Sequence, residues 1–68
     1  METYIVVAFN DTDFYVVSVC DNQMIAQNYA NLEHRERRGV FGVMIYKKIM
    51  NAPHTMRDEV VFKIEPKK

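Results

Sequence analysis

Tryptophan is absent from this chain, cysteine occurs once, and glycine and proline occur twice each. A lone cysteine, Cys20, cannot form a disulfide within the chain, so the sequence favours a reducing compartment and predicts a cytoplasmic protein. No charged and then apolar leader precedes the first predicted strand. No apolar run approaches the roughly 18 residues that a membrane span needs, so we expect no membrane association.

An excess of charge of one sign is also lacking, because nine basic residues balance nine acidic residues. Dedicated nucleic-acid binders usually carry a clear basic excess, so the composition argues against that class. Zero net charge also removes the repulsion that keeps copies of a protein apart. A chain of 68 residues, 49% of them hydrophobic, is expected to form a single domain over residues 1–68 with one small core.

The stretch Thr3–Asp21 has the composition of a β-hairpin. Val, Ile, Tyr and Phe dominate two predicted strands, Tyr4–Phe9 and Phe14–Cys20, and turn-forming residues at 10–13 predict a four-residue loop between them. If Phe9 pairs with Phe14, one face carries Ile5, Val7, Phe9, Phe14, Val16 and Ser18, and the other carries Tyr4, Val6, Ala8, Tyr15, Val17 and Val19. Neither face is polar, whereas a surface hairpin normally has one polar side.

A helix is predicted over Asn22–Arg38. Asp21 is the expected N-cap, and Gly39 is expected at the first position after the helix. At helical spacing, Ile25, Tyr29, Leu32 and Glu36 form a stripe that should pack on the sheet, with small alanines beside it.

Two further strands are predicted after the helix. Val40–Ile49 is apolar and β-branched, and Gly42 should mark a bulge or a close backbone approach. A loop is expected over residues 51–58, followed by an edge strand at Glu59–Glu65 with Val60, Phe62 and Ile64 on one face. The predicted fold class is therefore α+β, a small two-layer sandwich in ββαββ order with one helix on a mostly antiparallel three- to four-stranded sheet.

One helix can cover only one face of such a sheet. We expect the other face to be an apolar interface, and the tyrosine-bearing side of the hairpin is the candidate. Its candidate partner-binding residues are Tyr4, Val6, Tyr15, Val17 and Val19. The alternative is that the chain covers both faces itself. A second copy is the expected occupant, because twofold dimers are the commonest oligomers.

A basic cluster is the second candidate surface. Arg35, Arg37 and Arg38, followed by Lys47 and Lys48, could contact an acidic protein or the phosphates of a nucleic acid. Interleaved glutamates cancel part of this charge, so complementation of the helix dipole is the simpler interpretation.

Residues for catalysis or metal binding are few. Asp11, Asp13 and Asp21 lack the glycine and distal glutamate of a calcium loop. Cys20, His34 and His54 lack metal-ligand spacing and have no evident partner base. We therefore expect no enzymatic activity, no metal and no cofactor.

The sequence thus predicts a small, homodimeric protein-binding module with an unidentified protein target. Short, neutral chains with one cysteine are common among phage and mobile-element proteins that bind and block a host protein. A weak nucleic-acid binder that uses Arg35–Arg38 and Lys47–Lys48 is the alternative, and a subunit of a larger assembly is a third possibility. No motif identifies a family.

Overall fold

The computed structural model of the chain describes residues 2–49 and 59–67. The elements in these residues are β1 (Glu2–Phe9), β2 (Phe14–Cys20), α1 (Gln23–Glu36), β3 (Gly42–Ile49) and β4 (Glu59–Ile64). The four strands form one antiparallel sheet in the order β2-β1-β3-β4, and α1 packs on one side of it. The predicted α+β fold with ββαββ order is confirmed. The loop predicted over 51–58 lies outside the described residues.

The β1–β2 hairpin has the predicted register at its closed end, where Phe9 pairs with Phe14. Asn10 organises the turn. Its side-chain Oδ1 accepts hydrogen bonds from the backbone N–H of Thr12 at 2.9 Å and of Asp13 at 2.7 Å, and its own N–H donates to the Asp13 carbonyl at 2.8 Å. An asparagine side chain that replaces backbone partners in this way allows a tight turn without glycine.

Each edge strand contains a bulge that changes which face its residues occupy. In β2, Val7 pairs with Val16 and Val6 pairs with Ser18, so Val17 is an extra residue. The alternation of faces shifts there, which places Ser18 on the helix side and Val19 on the opposite side. The faces predicted for Ser18 and Val19 were therefore wrong.

The bulge in β4 has the same effect. Tyr46 pairs with Val60 and Ile45 pairs with Phe62, so Val61 is the extra residue. Val60 lies on the face opposite to Phe62, although strict alternation predicted one face for both.

The helix begins one residue later than predicted. Asn22, not Asp21, is the N-cap: its Oδ1 accepts from the N–H of Met24 at 2.8 Å and of Ile25 at 3.3 Å. These bonds satisfy two of the backbone donors that have no partner within the first turn of a helix.

At the other end of α1, the chain leaves the helix in a Schellman motif. The N–H of Gly39 donates to the His34 carbonyl at 2.9 Å, and the N–H of Arg38 donates to the Arg35 carbonyl at 3.0 Å. Arg38, with φ of 54°, occupies the left-handed position predicted for Gly39, and Gly39 follows with φ of 76°.

The core lies between α1 and the two central strands. It consists of the buried side chains Tyr4, Val6, Ala8, Ala26, Ala30, Val43 and Ile45. The helix faces the sheet with Ala26 and Ala30, which are both fully buried. Because alanines let the helix lie close to the sheet, larger side chains are displaced to its flank. The predicted core stripe is therefore wrong: Ile25, Tyr29 and Leu32 are 46%, 46% and 42% exposed.

Candidate functional site

The side of the sheet that faces away from α1 is almost entirely apolar. Strand pairing places one apolar row across all four strands, Val19–Ile5–Tyr46–Val60, and beside it the row Val16–Val7–Met44, which ends at Lys63. Phe14 and Phe9 follow towards the turn. We call this surface the open face and define it by Ile5, Val7, Phe9, Phe14, Val16, Val19, Met44, Tyr46 and Val60.

The most exposed apolar side chains of the open face lie on the two edge strands. Phe14 is 79% exposed, Val19 62%, Val16 59% and Val60 44%, while the residues of the central strands are half-buried between their neighbours. A contiguous apolar surface of this kind is unusual on an isolated monomer and marks an interaction site.

Charge on the open face is confined to its β4 side and the far end of β3. The Lys63 ammonium lies 5.6 Å from the centre of the Phe9 ring and pairs with Glu65 at 3.0 Å. At the turn end, a shallow cavity of about 540 Å³ lies on the open face, bordered by the hairpin turn and by residues of β1 and β3. Its lining combines apolar strand residues with polar turn residues: Val7, Phe9, Asn10, Asp11, Thr12, Asp13, Phe14, Met44 and Tyr46.

Of the five hairpin residues predicted to bind a partner, the structure places only Val19 on the open face. Tyr4 and Val6 are 8% and 0% exposed beneath the helix, and Tyr15 and Val17 pack against the same core. The tyrosine-bearing side, chosen from the sequence as the candidate interface, is therefore the side that the helix covers, and the side with Phe9, Phe14 and Val16 is the open one.

One feature of the sequence could have identified the side of the sheet that the helix covers. Ala8 is the smallest side chain in either predicted row of β1, and Ala26 and Ala30 are the smallest on the helix. Small residues on two elements that pack together permit the close approach seen here, so Ala8 marks the covered side.

The helix C-terminus is fixed to β2 by Tyr15, Glu33 and Arg37. The Tyr15 hydroxyl donates to the Glu33 carboxylate, and Arg37 Nε donates to the same carboxylate oxygen at 3.1 Å. The Arg37 guanidinium also lies 5.9 Å from the centre of the Tyr15 ring. The hydrogen bond from Tyr15 is the largest factor that lowers the pKa of Glu33, and burial followed by this same bond raises the pKa of Tyr15.

The predicted basic cluster is not brought together. Arg35 and Arg38 are exposed at the helix C-terminus, and Arg37 is paired with Glu33. Lys47 lies towards the far end of β3, about 16 Å beyond the start of that strand. There it forms an ion pair with Glu2 at 3.3 Å and lies opposite Tyr4 of β1, with Lys48 next to it in the chain.

Groups suited to catalysis or metal binding are dispersed in the described residues. No group of three or more His, Cys, Asp or Glu side chains there could hold a metal ion. Cys20 Sγ lies 3.4 Å from Ser18 Oγ near the start of the helix. His34 Nδ1 donates to the Phe41 carbonyl at 3.0 Å near its end, so the structure does not bring Cys20 and His34 together. His54 lies outside the described residues.

Among the residues that the structure describes, no helix has the length and apolarity to cross a membrane. Known protein families, curated proteins and solved structures yield no match to this chain. The functional interpretation therefore depends on the geometry described above.

Proposed function

We propose that this protein is a small, non-enzymatic protein-binding module that forms a homodimer through the open face. The observation that supports this is the continuity of the open face, which runs across all four strands. Water in contact with such a surface is released on association, and this release is the main favourable term in protein–protein binding.

The dimensions of the molecule suit a dimer of this type. The Cα atoms extend over 35 × 23 × 15 Å. The sheet lies in the two longer directions, since two packed layers account for the shortest one. The open face therefore offers at most about 800 Å² on each copy, which is the area that each partner contributes to a standard stable interface.

Electrostatics do not oppose association of two open faces. The chain has no net charge. On the β4 side of the open face, Lys63 is neutralised by Glu65 and covers the Phe9 ring. Two copies related by a twofold axis would therefore meet mainly through apolar side chains, with these charges at the rim.

The oligomeric state tests the proposal, by light scattering of the wild-type chain and of two matched variants. Val16→Asp introduces a charge into the open face at a position that is 59% exposed, and Met24→Asp introduces the same charge at a 73% exposed position on the helix. We expect a wild-type dimer at micromolar concentration, a folded Val16→Asp monomer and a Met24→Asp dimer. A wild-type monomer at high micromolar concentration, or a dimeric Val16→Asp variant, contradicts the proposal.

A module without chemistry of its own acts on its target by blocking it or by assembling with it. The phage-type inhibitor predicted from the sequence is the blocking case, and a cytoplasmic location remains part of that prediction. The alternative, nucleic-acid binding, needs the arginines and lysines on one surface, and their separation along β3 does not favour it. A gel shift at low salt tests it, because phosphate contacts are strongest there.

A further inference from the structure

The two edges of the sheet differ in how they are protected from pairing with another strand. β4 carries Glu59 and Lys63 and is followed by Glu65 and Pro66, and charges and proline are the usual means of blocking an edge. β2 has neither a charged residue nor a proline in FYVVSVC. Among the described strands, β2 pairs only with β1, so its outer backbone groups face away from the sheet.

A groove runs beside this edge, between β2 and the flank of the helix. Ile25 and Tyr29 border it on the helix side, and Ser18 and Cys20 on the strand side. Its volume is about 430 Å³. Leu32 continues the same flank at helical spacing, so three half-exposed apolar side chains extend along the edge strand. We call this surface the β2 groove.

Each end of the β2 groove has one exposed carboxylate beside it. Asp21 lines one end, and helical spacing places Glu36, four residues after Leu32, on the same flank of the helix towards the other end. Both residues are exposed, whereas the charge of Glu33 is neutralised by Arg37, and its carboxylate also accepts a hydrogen bond from Tyr15. An occupant that complements this surface is apolar in its centre and basic at its ends.

A second copy of the chain does not have that chemistry. If β2 paired with β2 of another copy in antiparallel orientation, Asp13 of each copy would approach Asp21 of the other at both ends. Like charges at both ends disfavour this pairing. The bulge at Val17 also interrupts the regular edge, so the groove side offers Ser18–Cys20 for pairing.

From the unprotected edge, the groove and the charges beside it, we propose that the β2 groove binds an extended segment of another protein. This segment pairs with β2 as an added strand, and it is apolar in its centre with Lys or Arg at its ends. Backbone hydrogen bonds to β2 provide the pairing, and contacts with Ile25, Tyr29 and Leu32 select apolar side chains. The proposal goes beyond dimerisation through the open face and does not depend on it.

The test uses a synthetic ten-residue peptide of alternating valine and threonine with two arginines at each end, titrated into the full chain. Amide exchange measured by NMR should show new protection at Ser18–Cys20 and none in β4. The same peptide with glutamates at its ends should bind roughly fivefold more weakly, as expected for the loss of two exposed ion pairs.

Two neighbouring helix variants provide the matched control. Ile25→Lys places a charge in the groove, and Met24→Lys places it on the solvent side of the same helix. We expect Ile25→Lys to weaken binding at least tenfold and Met24→Lys to leave it unchanged. No binding, protection confined to the open face or β4, or equal loss in both variants overturns the proposal. Light scattering of the same samples tests dimerisation separately, so failure of one proposal is distinguishable from failure of the other.

Discussion

The Tyr15 hydroxyl and Arg37 Nε donate to the same carboxylate oxygen of Glu33. Tyr15 belongs to the edge strand β2, and Glu33 and Arg37 occupy successive turns at the end of the helix. This arrangement attaches the helix to an edge strand whose other neighbour is β1, and it leaves Tyr15 edge-on to the Phe41 ring, with centroids 5.4 Å apart.

Removal of the Tyr15 hydroxyl should destabilise the fold. In Tyr15→Phe the carboxylate of Glu33 loses its most buried donor, and we expect the free energy of unfolding to fall by about 1 kcal/mol. Urea denaturation measures this change. Tyr29→Phe removes the same hydroxyl group from a helix position that is 46% exposed. This control should change stability by less than about 0.5 kcal/mol. Equal losses in the two variants would remove the assigned role of Tyr15.

Acid should destabilise the protein through Glu33. The hydrogen bond from Tyr15, together with Arg37, holds the pKa of Glu33 below its ordinary value of 4.5. A carboxylate whose pKa is lowered by folding stabilises the protein above its unfolded pKa, and that contribution is lost as the pH falls through the folded pKa. We therefore expect the free energy of unfolding to decrease below about pH 4.5.

Urea midpoints between about pH 7 and about pH 3 measure this dependence. Glu2 contributes in the same direction, because hydrogen bonds from Tyr4 and then Lys47 lower its pKa. Tyr15→Phe should reduce the dependence of the free energy of unfolding on pH without abolishing it. A pH dependence identical to that of the wild type would show that Glu33 is not the group responsible.

The helix N-cap can be assigned by two adjacent alanine substitutions. Asn22→Ala leaves the N–H groups of Met24 and Ile25 without their side-chain acceptor, and we expect a loss of about 1 kcal/mol in stability. Asp21→Ala should change stability by less than about 0.5 kcal/mol. Thermal unfolding followed by circular dichroism compares the two, and a larger effect at Asp21 would restore the assignment made from sequence.

Gly42 should tolerate no side chain. A Cβ at this position would lie 2.6 Å from the Ile64 carbonyl oxygen and 2.6 Å from Cζ of Phe9. Gly42→Ala is expected to cost about 2 kcal/mol of stability, the range of an overpacked interior site. In the Phe9→Leu background the cost should be smaller but still present, because the backbone oxygen cannot move away. Full recovery in the double variant would show that the Phe9 ring alone causes the effect.

The sequence alone predicted the type and order of every element in the described residues. The hairpin follows from two runs of β-formers on either side of Asn10–Asp13, and the helix follows from its 3.6-residue spacing and its arginine-rich end. Gly42 was correctly expected to mark a close approach. Such features are local, since each depends on residues that are neighbours in the chain.

The face assignments failed because they depend on contacts between distant residues. Both sides of the hairpin are apolar, so its own pattern does not decide which side the helix covers. Ala8, Ala26 and Ala30 all lie in the core between the two layers, where side chains this small permit the helix to lie close to the sheet. The bulges at Val17 and Val61 then reverse the faces of Val19 and Val60, which strict alternation could not anticipate.

What the sequence by itself determined is therefore a two-layer α+β protein with more apolar sheet surface than one helix can cover. Only the tertiary structure decided that Phe14, Val16 and Val19 form the uncovered side, and that Arg35 and Lys47 lie apart. The physical reason is that local propensity selects helices and strands, whereas the packing of small against small residues between layers selects the face.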